Sequence, residues 1–226
     1  MPTPEPTVAV LFSGGLDSGV LVAQAARTAT VQPIYVSVGL AWEVQERAMA
    51  EQLLASPPFQ ARVYPMATLR VDMRDVYPPS HWAIRGEAPA FDTPDEDVYL
   101  EGRNIVLLSK ASVFMARANI SRVLMGPLAG NPFPDASAAF FDAMARALSI
   151  GLATPVSIEA PFAAMHKSDV VKLGQTLGVS FELTLSCMQP SNGRHCGRCS
   201  KCRERRDAFI EADVPDPTSY VEKPIR

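Results

Sequence analysis

From Val8 to Phe12 the chain is uninterruptedly apolar, and it then turns at once into Ser13-Gly14-Gly15-Leu16-Asp17-Ser18. A short, wholly apolar run bounded by a glycine turn reads as a strand buried on both faces. Helical spacing follows over Ser18–Arg27. A buried strand that enters a helix through a tight turn is the opening unit of a parallel α/β sheet, and few other architectures start this way.

The alternation continues down the chain. Val31–Val38 reads as a second strand, Trp42–Leu54 as an amphipathic helix and Arg62–Met66 as a short third strand. From about Asp72 to Leu100 the sequence is polar, proline-rich and without periodicity; a loop that long is either functional or disordered. Helices are then expected over Arg103–Ala118, Ala136–Leu148 and Ser168–Leu177, the last stopped by Gly178. Strands are expected at Arg122–Gly126 and Pro155–Ile158. The expected fold is α/β, a doubly wound parallel sheet of Rossmann-like type covered on both faces. Residues 1–180 would form its body, and residues 181–226 a metal knot, helix and tail packed on it. Ligands of such sheets gather at the carboxyl ends of the strands, near the point where strand order reverses.

Bulk properties narrow the function. With 226 residues the chain can bury a full core unaided. A net charge of -3 calls for neither nucleic acid nor an anionic membrane. No apolar run reaches membrane-spanning length, and Met1–Thr7 lacks the basic start and apolar stretch of a secretory leader. Cytoplasm is the expected location, with no membrane partner and no nucleic-acid partner.

In the first turn, Gly14 and Gly15 allow close approach of a phosphate to the main chain. The helix that follows offers unpaired amides and its positive dipole end. Ser13 and Ser18 add hydroxyls, and Asp17 could hold a magnesium ion or cap the helix. The plain reading is an ordinary capped strand–turn–helix. The turn lacks the Lys-Ser/Thr ending of a Walker A loop and the spacing of a dinucleotide site.

The four cysteines are Cys187, Cys196, Cys199 and Cys202, spaced C-x8-C-x2-C-x2-C. Such clustering indicates metal ligands rather than a disulfide framework. Four thiolates around zinc leave no open position, which is the structural arrangement; an iron–sulfur cluster, a nucleic-acid-binding zinc module and four unligated buried cysteines are the alternatives. Arg194, Arg198, Lys201, Arg203, Arg205 and Arg206 would offset the negative charge of the site. If the metal takes every cysteine, none is left as a nucleophile for sulfur transfer or for releasing ammonia from glutamine.

The first turn resembles, at all its fixed positions, the SGGxDS loop of the ATP-pyrophosphatase superfamily, whose members cleave ATP between the α- and β-phosphates. From about Val8 to Ala212 the chain resembles the 7-cyano-7-deazaguanine synthase family. The resemblance rests on Phe12–Ser18, Glu101-Gly102-Arg103-Asn104, Ile158-Glu159-Ala160-Pro161 with Lys167, and above all Ser186-Cys187 with Gly193-Arg194-His195-Cys196-Gly197-Arg198-Cys199 and Lys201-Cys202-Arg203. It implies an ATP-dependent carbon–nitrogen ligase that adenylates the carboxylate of 7-carboxy-7-deazaguanine, amidates it with ammonia and uses a second ATP to reach the nitrile. It implies Ser13, Gly14, Gly15, Leu16, Asp17 and Ser18 as the pyrophosphate loop, with Asp17 and Lys167 in the chemistry. Arg103 and Asn104 would face nucleotide or substrate. The implied cofactors are ATP, Mg2+ and Zn2+, and the implied partners are a small-molecule acid and ammonia; a homodimer is an open possibility.

Two segments depart from the family pattern. Gly39-Leu40-Ala41-Trp42-Glu43-Val44-Gln45-Glu46 replaces a histidine-containing, glutamine-rich stretch, and Gly130-Asn131-Pro132-Phe133-Pro134-Asp135-Ala136-Ser137 keeps only Pro134 and Asp135 of the expected motif. They bear on the identity of the acid rather than on the ATP chemistry. A relative adenylating another small-molecule or protein-borne acid, and a tRNA-modifying or nucleic-acid-binding protein that retains the ATP loop, are the alternatives. His81, His166 and His195 receive no role from the sequence.

Overall fold

Thr7–Leu11 forms strand β1 at the centre of a five-stranded sheet. The computed structural model describes residues 7–224; Met1–Pro6, most of the stretch read above for a leader, lies outside the described residues. The remaining strands are β2 (Thr30–Ser37), β3 (Ala67–Arg70), β4 (Arg122–Leu124) and β5 (Ser157–Glu159). All pair in parallel in the order β3-β2-β1-β4-β5. The order grows outward from β1 in one direction up to β3 and then reverses, so the crevice lies at the carboxyl ends of β1 and β4.

Both sheet faces are covered, which is why β1 is apolar from Val8 onward. Val8 and Val10 point into one core with Leu16, Val20, Leu53, Val170 and Phe209. Ala9, one residue out of phase, joins the other with Ile34, Leu108, Met115 and Phe141. Helices α1 (Leu16–Ala25), α2 (Glu43–Ala55), α6 (Lys167–Thr176) and α7 (Ser200–Ala212) contribute to the first core. Helices α4 (Arg103–Arg117) and α5 (Ala138–Leu152) contribute to the second. Among the described residues, no helix is long and apolar enough to cross a membrane.

The third strand is displaced from its expected place. Arg62–Met66 was expected to form it, yet in that stretch Val63 makes only an isolated bridge to Val31, and the strand forms at Ala67–Arg70. Pro65 has no N–H to give a ladder, so regular pairing starts beyond it. Helix α5 starts two residues later than expected because the Ser137 hydroxyl caps it, accepting from the Phe140 amide at 3.2 Å. Helix α6 ends as expected, with Gly178 at φ +72°.

The aperiodic segment after β3 is an ordered strap. It carries the one-turn helix α3 (Trp82–Arg85) and a 3-10 turn at Asp95–Val98. Met73, Tyr77, Ala83, Val98 and Leu100 anchor it in the core. Polar bonds fix its far end: the Arg203 guanidinium donates to the carbonyls of Phe91 (2.7 Å) and Thr93 (3.2 Å), and Ala90 bridges Cys199. Periodicity could not reveal it, because core contacts at irregular spacing and side-chain bonds to its main chain hold it.

Gly14 shows how tightly the first turn is built. Its φ is +74°, and a Cβ there would lie 2.8 Å from the Ala50 Cβ on α2. Gly14→Ala is therefore expected to cost about 1–3 kcal/mol through backbone strain and overpacking, read as a lower urea midpoint at unchanged slope.

Candidate active site and metal knot

At the crevice, the turn after β1 is held by its own hydroxyls. Ser13 Oγ and Ser18 Oγ lie 3.3 Å apart, the Gly15 amide donates to Ser13 Oγ at 3.3 Å, and Ser18 Oγ donates to the Gly15 carbonyl at 3.2 Å. Two adjoining cavities of about 380 and 270 Å³ open above it. Ser13, Gly15 and Asp17 line both, and Ser18 lines the smaller. Gly14 and Leu16 turn the other way. Gly14 packs on α2 and its carbonyl accepts from the Leu185 amide at 2.9 Å, while Leu16 is buried in the core. The first turn of α1 thus lies against the cavities through Asp17 and Ser18, and its first amides have no partner within the helix.

Opposite the turn stands a chain of charges. Lys167 Nζ lies 3.1 Å from Asp17 Oδ2 and also bonds Glu204; Lys201 Nζ lies 2.7 Å from Glu204 Oε2 and 3.8 Å from Asp95. Burial works against the charge on Lys167, but Asp17 and Glu204 outweigh it and raise its pKa. Burial likewise works against ionised Glu204, yet the two lysines hold it at about 2. Asp17 goes the other way: burial raises its pKa despite Lys167, and its Oδ1 has no hydrogen-bond partner. An orphaned buried carboxylate oxygen beside a phosphate-type turn fits a divalent cation carried in with a nucleotide.

Where the cavities meet, Arg103 enters from the start of α4, and its buried Nε has no partner. Asn104, by contrast, is spent on structure, since its amide groups donate to Asp135 Oδ2 (3.1 Å), Oδ1 (3.3 Å) and carbonyl (3.0 Å). Glu46 faces Arg103 from α2; its Oε2 accepts from the Tyr35 hydroxyl at 2.7 Å. Burial raises the pKa of Glu46 to about 7, with Arg103 and Tyr35 limiting the rise. Trp42 and Trp82, stacked at 5.8 Å, form an apolar wall of the larger cavity.

The four cysteines converge as expected. Their sulfurs all lie within 4.8 Å of one another and every one is buried. The sulfurs of Cys187 and Cys199 lie 3.9 Å apart, those of Cys196 and Cys202 3.8 Å, and those of Cys199 and Cys202 3.5 Å. A tetrahedral ion with metal–sulfur bonds of about 2.3 Å has an edge of about 3.8 Å, so one such ion fits. A four-iron cubane would place the sulfurs on separate irons and further apart. Amides of Gln189, Cys196, Gly197 and Arg198 donate to the sulfurs at 3.2–3.4 Å, which favours thiolates.

The basic residues expected to offset the charge of the knot also make specific contacts of their own. Arg205 is fully buried and bonds Thr184, Ser186, Thr218 and the Phe181 carbonyl. Arg203 ties down the strap, Arg194 bonds the Tyr220 carbonyl, and Arg198 pairs with Glu222. Lys201 belongs to the cavity. The histidines hold structure. His195 Nε2 accepts from the Ser186 amide at 3.1 Å, and burial lowers its pKa to about 3, keeping it neutral. The His166 amide is capped by Asp169 at 3.0 Å, and His81 Nδ1 caps α3.

Sequence reasoning missed Lys201, Glu204 and Trp82 as cavity residues, and included Glu46 only within a segment expected near the substrate, with no role of its own. For Glu46 a signal existed. Glu43, Glu46, Ala50 and Leu53 share one helical face, and acids on the face that packs inward are out of place unless they serve a site. Glu43 proves structural, accepting from the amides of Val38 and Gly39 and the Ser37 hydroxyl. Glu204 and Lys201 carried no such signal, because the orientation of α7 is set by the knot. Both segments that depart from the family pattern line the larger cavity, through Trp42 and Glu46 and through Gly130, Asn131, Pro132 and Phe133.

Comparison with known proteins agrees with this geometry. The family described as "Queuosine biosynthesis protein QueC" matches residues 7–213. A 7-cyano-7-deazaguanine synthase of Methanothrix thermoacetophila is 33% identical over 220 residues, covering 93% of this chain and 96% of the relative. That of Thermoplasma volcanium is 30% identical over 226 residues, covering 95% and 91%. That of Anaeromyxobacter sp. is 38% identical over 132 residues, and there the match spans 55% of this chain and 57% of the relative.

Proposed function

The chain belongs to the family of the queuosine biosynthesis protein QueC, and from that premise we propose that it is an ATP-dependent ligase acting as a 7-cyano-7-deazaguanine synthase. The observation that carries the reading is the convergence on one crevice of the Ser13–Ser18 turn, Lys167 and the partnerless Arg103 Nε. A guanidinium nitrogen buried without a partner is stabilised by an anion, and the junction of the two cavities is where an α-phosphate and a carboxylate would meet.

On this reading the carboxylate of 7-carboxy-7-deazaguanine attacks the α-phosphorus of ATP, and pyrophosphate leaves toward the α1 amides, Ser13 and Lys167. Donors already in place where charge develops lower the barrier. Ammonia displaces AMP to give the amide. The amide oxygen is adenylated in turn, and loss of AMP leaves the nitrile. Asp17 would hold a Mg2+ ion that neutralises phosphate charge. Trp42 and Trp82 offer a flat wall to the ring of the acid. Residues 1–180 supply most of this chemistry, while residues 181–226 hold a structural Zn2+ and bring Lys201 and Glu204 of α7 into the cavity. The location proposed is the cytoplasm. The internal engagement of Arg203 and Arg205 speaks against a nucleic-acid surface at the knot.

ATP–pyrophosphate exchange tests the reading. Exchange is expected to depend on 7-carboxy-7-deazaguanine, with AMP and the nitrile accumulating when ammonium is added. The departures lining the larger cavity favour running other planar acids beside it. Exchange with one of those alone would keep the adenylation and replace the substrate, and exchange with none would remove the reading.

A further inference from the structure

Ammonia in neutral solution is almost wholly ammonium, which has no lone pair to attack an acyl adenylate. Some group must therefore take its proton inside the site. Two carboxylates line both cavities, Asp17 and Glu46. Asp17 is bound to Lys167 on the pyrophosphate side. Glu46 has no ion pair within 4 Å among the described residues, and it lies at the junction with Arg103. It sits one helical turn from Ala50, the residue against which Gly14 packs, so it stands next to the phosphate turn. An ionised carboxylate beside phosphates is repelled unless a cation lies between them.

We propose that Glu46 draws ammonium into the junction of the two cavities and accepts the proton that frees its lone pair for attack on the acyl adenylate. The proposal rests on the adenylating reading above. One proton passes from ammonium to Glu46 Oε. The nitrogen lone pair then forms the C–N bond, and the carbonyl–oxygen bond to AMP breaks with its electron pair going to the phosphate oxygen. The N-protonated amide loses its second proton to the departing AMP, and Glu46 returns its own to solvent. The groups facing Glu46 are Tyr35 from β2, Glu43 and Trp42 from its own helix end, and Arg103 from α4. Burial keeps its pKa near that of a useful base at neutral pH, about 7.

The test uses Glu46→Gln and two nucleophiles. Hydroxylamine is uncharged at neutral pH and needs no base. With ammonium, amide formation by the variant is expected to fall about 100-fold or more; with hydroxylamine, hydroxamate formation should fall far less. Equal loss with both nucleophiles, or undiminished amide formation with ammonium, would overturn the proposal. Absence of acid-dependent pyrophosphate exchange in the unaltered protein would instead sink the adenylating reading, so the two failures are distinct. Should the Gln variant fail to fold, Tyr35→Phe decides. The phenol helps hold Glu46 ionised, so its removal should move the pH inflection of ammonium-dependent turnover upward and leave the hydroxylamine profile in place. An unmoved inflection overturns the proposal.

Discussion

Cys196→Ser is expected to lose its metal and most of its soluble yield before any question of chemistry arises. Four buried thiols within 4.8 Å are not pre-assembled in the unfolded chain, so metal binding contributes directly to folding. Structural zinc in small peptides is worth about 10–16 kcal/mol of apparent binding, comparable to or above a whole domain's margin of about 5–15 kcal/mol. The α/β body has two cores of its own and should soften the loss. The unaltered protein should carry one zinc per chain by elemental analysis and be colourless; the variant should be zinc-free and melt lower. Because Lys201 and Glu204 sit on the helix that begins at the knot, the surviving folded fraction should also bind ATP more weakly. A variant that melts like the parent but is inactive would reassign the metal to the chemistry.

Asp17→Asn should show the opposite pattern, a folded protein that does not turn over. Pyrophosphate release is expected to fall about 10²–10³-fold, the usual cost of removing one preorganised contact to developing charge. Stability should hold or rise. Burial raises the pKa of Asp17 in the folded protein even against Lys167. The folded state therefore keeps that proton to higher pH than the unfolded state, and stability from this group falls as pH rises above the ordinary carboxylate range. At neutral pH the charge is a cost that asparagine removes, while Lys167 keeps Glu204 as its partner. A variant that melts markedly lower, or one that releases pyrophosphate at the parent rate, would contradict this account of the turn.

The contrast between these variants follows the division between local and distant information in the chain. The strand–turn–helix opening, the parallel sheet and the convergence of the four cysteines were legible because each is written in contiguous residues: an apolar run, two glycines, a short cysteine spacing. The ends of α6 and the left-handed Gly178 were legible for the same reason. The third strand was misplaced by a few residues, since Pro65 forbids a ladder where the apolar pattern invited one.

By itself, then, the sequence determined the fold class, the glycine turn after β1 and the clustering of the cysteines, because backbone geometry and short spacing constrain neighbouring residues. Tertiary structure alone decided what completes the site. Glu204 and Lys201 reach the cavity only because the knot aims α7 at it, and Trp82 only because the strap is tied down by Arg203 and core contacts. It also decided that Asn104 supports Asp135 while the buried Nε of its neighbour Arg103 is left without a partner. Charge pairing across elements far apart in sequence sets those roles, and Coulomb attraction acts on distance in space, which no spacing along the chain records.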